Sequence, residues 1–132
     1  MRTNIRVSAI IIEDKKILLI HRIKNGDEYW VVIGGGVEEG ESLEDALKRE
    51  VLEETCLPVL NYKLLGRVKG HKGDDYYFYF CNINEGPPSL GGPEKEKNCK
   101  NNWFNLEWVE IEKVGELKSL YPAQVKEFLK LI

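Results

Sequence analysis

Gly34-Gly35-Gly36-Val37-Glu38-Glu39-Gly40-Glu41-Ser42-Leu43-Glu44-Asp45-Ala46-Leu47-Lys48-Arg49-Glu50-Val51-Leu52-Glu53-Glu54-Thr55-Cys56-Leu57 is the stretch on which the reading of this chain turns. A glycine-rich segment runs straight into a segment dense in carboxylates. The glycines follow the apolar run Trp30 to Ile33. That order reads as a strand end and a turn whose backbone takes positive φ or lies close to a neighbour. Ser42 stands three residues before Asp45, the spacing of an N-cap hydroxyl that accepts from a free backbone N–H, and Glu44 and Asp45 suit the positive first turn. The helix is predicted to run to about Thr55.

The phase of that helix carries the chemistry. Setting Leu43 at zero and advancing about 100° per residue puts Leu47 at roughly 40°, Ala46 at roughly 300°, Glu50 at roughly 340°, Glu54 at roughly 20° and Glu53 at roughly 280°. Glu50 and Glu54 therefore point along the apolar face, whereas a solvated glutamate would fall on the far side with Lys48 and Asp45. An ionised carboxylate is costly to bury alone. Three acids converging on one shoulder repel one another unless a cation sits among them, and oxygen-only ligands suit a hard ion, Mg²⁺ or Mn²⁺. A Glu-rich surface helix with incidental pairs such as Glu44 and Lys48 is the bland alternative. The helical phase and the glycine segment together weigh against it.

The spacing Gly35, five residues, Glu41, seven residues, Arg49-Glu50-Val51-Leu52-Glu53-Glu54-Thr55-Cys56-Leu57 resembles the Nudix box of the Nudix hydrolase family, and the chain's size resembles its MutT-like members. Cys56 stands where the family pattern has glycine, and Ile33 where a proline often precedes the glycines. A helix-ending glycine usually supplies αL geometry. Cys56 then either takes that geometry at a cost of about 1 kcal/mol or more, or the helix ends differently. The resemblance implies an α/β fold, a Nudix-type α/β/α sandwich with a mixed β-sheet. It implies Glu50 and Glu54 as principal metal ligands, with Glu53 as a ligand or as the base that activates water, and the Gly34 carbonyl completing the shell. Arg49 would orient the glutamates, and Glu41 would support the box or bind through water.

The implied activity is metal-dependent hydrolysis of a diphosphate linkage in a nucleoside diphosphate derivative. A nucleoside triphosphate, including one with an oxidised base, would give monophosphate and pyrophosphate. Nucleotide sugars and dinucleoside polyphosphates would satisfy the same metal site. A non-catalytic ligand sensor usually lacks box acids, and none is missing here. A prenyl diphosphate isomerase would want further catalytic groups. For the base, aromatic stacking contributes about 1 to 3 kcal/mol, and Tyr76 within Tyr76 to Phe80, Trp103 and Phe104 are the substrate-binding candidates. Core packing explains the same aromatics.

The 132 residues, 42% hydrophobic and 31% charged, fit one domain over 1–132. A net charge of −3 gives no footprint for duplex nucleic acid. Cys56, Cys81 and Cys99 make no metal or disulfide pattern and suit reduced thiols of a cytoplasmic protein. No membrane span is expected, since the apolar runs are short, and a homodimer is compatible with the sequence.

Elsewhere, strands are predicted at Ile5 to Ile12, Ile17 to His21 and Tyr29 to Ile33, with an extended segment from Pro58 to Val68. His21, ending its strand, is read as structural. Tyr76 to Cys81 is apolar on both faces, as in a strand covered on each side. Glu85 to Asn102 is a long polar loop of the lid or disordered kind, and the resemblance makes its Glu94 and Glu96 candidates for an extra base. Glu107 to Ile111 is a short strand in which Trp108 packs. Pro122 is placed at the first position of a last helix bearing Val125, Phe128, Leu129 and Ile132.

Overall fold

Strand β1 (Arg2–Glu13) and strand β2 (Lys16–Lys24) carry the apolar runs Ala9 to Ile12 and Ile17 to Ile20, where both of their faces are covered. The computed structural model describes residues 2–70, 73–83, 102–117 and 119–131, and for residues 2, 3, 102 and 103 only the backbone. The expectations for Glu94, Glu96, Cys99, Ile132 and nearly all of the 85–102 loop lie outside the described residues. Along β2, Leu18 and Ile20 enter one buried cluster while Ile17 and Leu19 enter another. The first cluster takes Ala46, Leu47 and Val51 of helix α1 (Leu43–Thr55). The second takes Val125, Phe128 and Leu129 of helix α2 (Val125–Leu129). Two helices on opposite faces of one sheet make the α/β/α sandwich.

The remaining strands are β3 (Asp27–Glu38), β4 (Val59–Lys69), β5 (Asp75–Ile83), β6 (Asn102–Glu110) and β7 (Leu120–Tyr121). The sheet is mixed. β1 runs parallel to β5, from Ile5 opposite Asp75 to Ile11 opposite Cys81, and antiparallel to β3. β4 is antiparallel to β5, β6 antiparallel to β2, and β7 parallel to β3. Tyr77, Tyr79 and Cys81 of β5 face the α1 side while Tyr76 and Phe78 face the α2 side, as an interior strand requires. Phe78 stacks on Phe128 at 4.5 Å between ring centroids. Among the described residues no helix is long and apolar enough to cross a membrane.

β3 changes partner midway. Its first half pairs with β2, from Lys24 opposite Asp27 to Leu19 opposite Val32, and its second half with β1, from Ala9 opposite Ile33 to Arg2 opposite Glu38. The glycines are thus inside a strand, and the expected turn at 34–36 is corrected: the chain turns at Glu39-Gly40, with Gly40 at φ 84°. Gly34, just past the change of partner, has φ 148°, and a Cβ there would collide with the Val7 carbonyl of β1. Close approach, not reversal, is what these glycines permit.

Two other expectations change. β6 begins at Asn102, well before Glu107, which puts Trp103 and Phe104 inside a strand. Pro122 lies ahead of a five-residue α2 capped at Gln124, and Tyr121 belongs to β7, so Pro122 does not open the helix.

Candidate active site

Helix α1 starts as its sequence demands, with the Ser42 Oγ accepting from the Asp45 N–H at 3.1 Å. It stops at Cys56, which takes φ 63°, ψ 15° in αL and donates its N–H to Leu52 O at 2.9 Å. Thr55, fully buried, secures the same end: its Oγ1 donates to Val51 O at 2.7 Å and accepts from the Leu57 N–H at 3.1 Å. Sequence reasoning gave Thr55 no role, although a buried hydroxyl at a helix end signals this use.

Between those caps the helix turns its acids toward β3. Glu50 and Glu54 are 6% and 5% exposed. Glu54 Oε1 accepts from the Gly34 N–H at 2.7 Å. Glu50 packs over Gly35, where a Cβ would stand 2.5 Å from the carboxylate. The glycine pair is therefore the floor on which the two carboxylates sit. Glu53 is the odd one, on the rim with its side chain 43% exposed.

Arg49 binds this group together. Its Nε and Nη2 donate to Glu41 at 2.8 and 3.0 Å, its Nη1 to Glu50 at 2.9 Å and to Glu53 at 3.5 Å, and Nη2 also reaches Gly36 O at 3.1 Å. The bidentate pair with Arg49 and the Glu38 N–H hold the Glu41 carboxyl down at about 2. The same carboxylates raise the Arg49 pKa further above its usual value, led by the Glu41 hydrogen bonds. Three carboxylates, those of Glu41, Glu50 and Glu53, share this one guanidinium.

Among the described residues no three His, Cys, Asp or Glu side chains are gathered tightly enough to hold a metal ion as they stand. Glu50 is engaged by Arg49 and Glu54 by Gly34. In kind, however, the donors fit a hard divalent cation: they are all oxygens, and two are buried carboxylates, that of Glu50 seated in the space a Cβ at Gly35 would take.

Gly34 and Gly35 also border a cleft of about 490 Å³ between the sheet and the segment after β7. Its walls include Arg6 and Ser8 of β1, Asp74 and Tyr76 by β5, and Tyr121 and Gln124. Tyr76 is thus at the cleft as expected. Phe104 is not: it is 5% exposed within the α1-side core, with the Arg22 guanidinium 4.2 Å from its ring centroid. The side chain of Trp103 lies outside the described residues. Arg6, Ser8, Asp74, Tyr121 and Gln124 escaped sequence reasoning because pairings across distant strands assemble them. His21 stacks on Trp30 at 4.0 Å between ring centroids, with Glu28 and Glu107 at its two nitrogens at 2.6 and 2.5 Å. That arrangement ties β2, β3 and β6 together, a structural place.

Residues 2–128 match the model of the NUDIX domain, and the chain belongs to that family. A Caenorhabditis elegans protein named as a nudix hydrolase is 31% identical over 98% of this chain, which spans 34% of that protein's length. The mouse oxidized purine nucleoside triphosphate hydrolase is 27% identical over 76% of this chain and 65% of its own. The crystal structure of a MutT NUDIX hydrolase from Burkholderia pseudomallei superposes with a TM-score of 0.71 over 97% of this chain and 96% of its own, at 23% identity.

Proposed function

We propose that this chain is a metal-dependent hydrolase that cleaves a diphosphate linkage in a nucleoside diphosphate derivative, most directly a nucleoside triphosphate, including forms with an oxidised base. The observation that carries the proposal is the pair of buried carboxylates, Glu50 and Glu54, seated on Gly34 and Gly35 beside a cleft of about 490 Å³. Burying two acids on a helix is unfavourable for a purely structural helix and is suited to holding a cation against a phosphate. The name of the mouse relative supports the triphosphate as substrate.

In this reading Glu50, Glu54 and the Gly34 carbonyl would hold Mg²⁺ or Mn²⁺, with Glu53 as a further ligand or as the base. The bound ion would polarise the phosphoryl oxygens and offset charge on the leaving oxygen. The chain's own residues do the rest. Glu53, on the solvent rim, takes a proton from the attacking water. A new P–O bond forms, the anhydride P–O bond breaks, and pyrophosphate leaves with the electron pair. Arg49 keeps the Glu50 and Glu41 carboxylates oriented, and the cleft wall positions the nucleoside so that water and phosphorus meet in line.

The test is a turnover screen over nucleoside triphosphates, oxidised nucleotides, nucleotide sugars and dinucleoside polyphosphates, with and without EDTA. Monophosphate and pyrophosphate from a triphosphate, lost in EDTA, is the expected result. Full activity in EDTA would sink the metal reading, and turnover of a sugar or dinucleoside derivative alone would move the substrate class.

A further inference from the structure

On the α1 face of the sheet, an apolar surface is left between the helix and the outermost strand. Among the described residues β4 pairs with β5 alone, so one edge of an eleven-residue strand carries no partner. Tyr62 and Leu64 lie opposite Cys81 and Tyr79, on the α1 face of the sheet, and are 40% and 49% exposed. The adjoining flank of α1 brings Lys48 Nζ within 5.6 Å of the Tyr62 ring centroid, and one turn further along stands Leu52, 50% exposed. Leu60, 58% exposed, occupies the irregular step between Val59 and Asn61. Edge strands are ordinarily blunted by proline, by charge or by bulges. Here the irregular steps lie outside the run Asn61 to Leu64, and that run carries a single charge, Lys63.

We propose that β4 pairs antiparallel with β4 of a second copy of this chain, about a two-fold axis at Tyr62. Charge selects both the occupant and the register. About that axis Lys63 meets Asn61 of the other copy, so no like charges oppose one another within the regular run. The same antiparallel sense carries the basic end of β4, with the Arg67 and Lys69 side chains 54% and 69% exposed, toward the end of α1 that precedes β4 in the other copy. There α1 ends without a basic residue in its last turn, and its carbonyl pole receives two cations. Among the described residues Arg67 and Lys69 share one carboxylate, that of Asp75, at 3.1 and 3.8 Å, and the Arg67 guanidinium also lies 5.8 Å from the Tyr77 ring centroid. This basic strand end belongs to a chain of net charge −3. A two-fold contact must be complementary to itself. This one has an apolar centre of Tyr62, Leu64 and Leu52 with charge at its rim, the usual anatomy of an interface.

Sedimentation velocity of the full chain, from low to several hundred micromolar, should show a monomer–dimer equilibrium. Leu64→Lys and Arg67→Glu should each raise the dimer Kd by about tenfold or more, while Leu131→Lys, at a residue 68% exposed elsewhere, leaves it unchanged. Circular dichroism on the variants checks that folding is kept. Because opposed Cβ atoms in such a pair stand about 4.5–5.5 Å apart, Tyr62→Cys should give a disulfide-linked dimer under mild oxidation, faster than the wild type with its exposed Cys56. A monomer at every concentration overturns the proposal. So does a dimer indifferent to Leu64→Lys, or a Tyr62→Cys chain that links no faster than the wild type.

Discussion

At the scale of single residues, the site is a contest between carboxylates and one guanidinium. Glu50→Gln and Glu54→Gln each remove a charge the metal would need. Losing several kcal/mol of transition-state stabilisation would lower kcat by on the order of 10²–10³-fold. Thermal melts should meanwhile show the fold intact or firmer, because like charges have been thinned. Glu41 makes a pH prediction. Its pKa falls from 4.5 to about 2, chiefly through Arg49. A carboxylate depressed in the folded state adds stability that is complete above its unfolded value and lost as pH falls through the folded one. The contribution is thus present above about 4.5 and gone below about 2. Glu41→Gln should flatten the change of urea midpoint with pH across that window, and an unchanged slope would refute the assignment. Cys56 makes a third case, since it sits in αL at φ 63° and is exposed. Cys56→Gly relieves a strain of about 1–2 kcal/mol and gives back part of it to chain entropy. The expected outcome is a neutral to slightly raised Tm; a loss exceeding about 1 kcal/mol would mean the side chain is packed.

At the scale of elements, α1 was legible almost completely. Its cap and its phase follow from Ser42 and from the placing of Glu50 and Glu54 among Leu43 and Leu47, while Cys56 at a glycine position left two endings open, of which the structure has the αL one. Those are local properties, fixed by three- and four-residue spacings that a sequence displays directly. The glycine segment was misread for the opposite reason. Gly34 to Gly36 carry a turn signal taken alone, but the reason for them lies in β1 and α1, where the Val7 carbonyl and the Glu50 carboxylate occupy the space of a side chain. Nothing within the segment reveals that neighbours press on it. The same holds for α2, which is short because the sheet positions Tyr121 as β7 before the helix can begin. Gly35→Ala tests how element contact becomes function. The added methyl meets a carboxylate at 2.5 Å, so Glu50 must shift. Activity should fall far more than stability does, measured by kcat/KM beside a urea melt. An equal loss in both would mean the glycine serves packing alone.

At the scale of the whole molecule, the parallel pairing of β1 with β5 and the change of partner in β3 bring together what the chain keeps apart. Arg6, Asp74 and Gln124 are remote in sequence, yet they line one cleft beside Gly34 and Gly35. The cluster of buried carboxylates was therefore readable from one helix, while the cleft was not, and two of the three aromatics expected to hold a base fall elsewhere or outside the described residues. Phe104 is buried beneath Arg22, so Phe104→Ala should lower stability, by about 3–5 kcal/mol as for other buried phenylalanines, instead of acting on substrate affinity. Under the proposed function the cleft residues Tyr121, which is 57% exposed and so can be truncated at small cost to the core, and Gln124 are the ones to test for that role. If the nucleoside lies against them, both ground state and transition state use the contact. Tyr121→Ala should then raise KM for a nucleoside triphosphate by about 5-fold or more, the lower end of what a stacked base contributes, with kcat nearly unchanged, the mark of lost uniform binding. Gln124→Ala should act in the same direction but unequally among bases, because an amide reads donors and acceptors whereas a ring does not. If neither substitution moves KM for any nucleotide that the enzyme turns over, the cleft is not where the base is held, and the reading of Glu50 and Glu54 stands or falls without it.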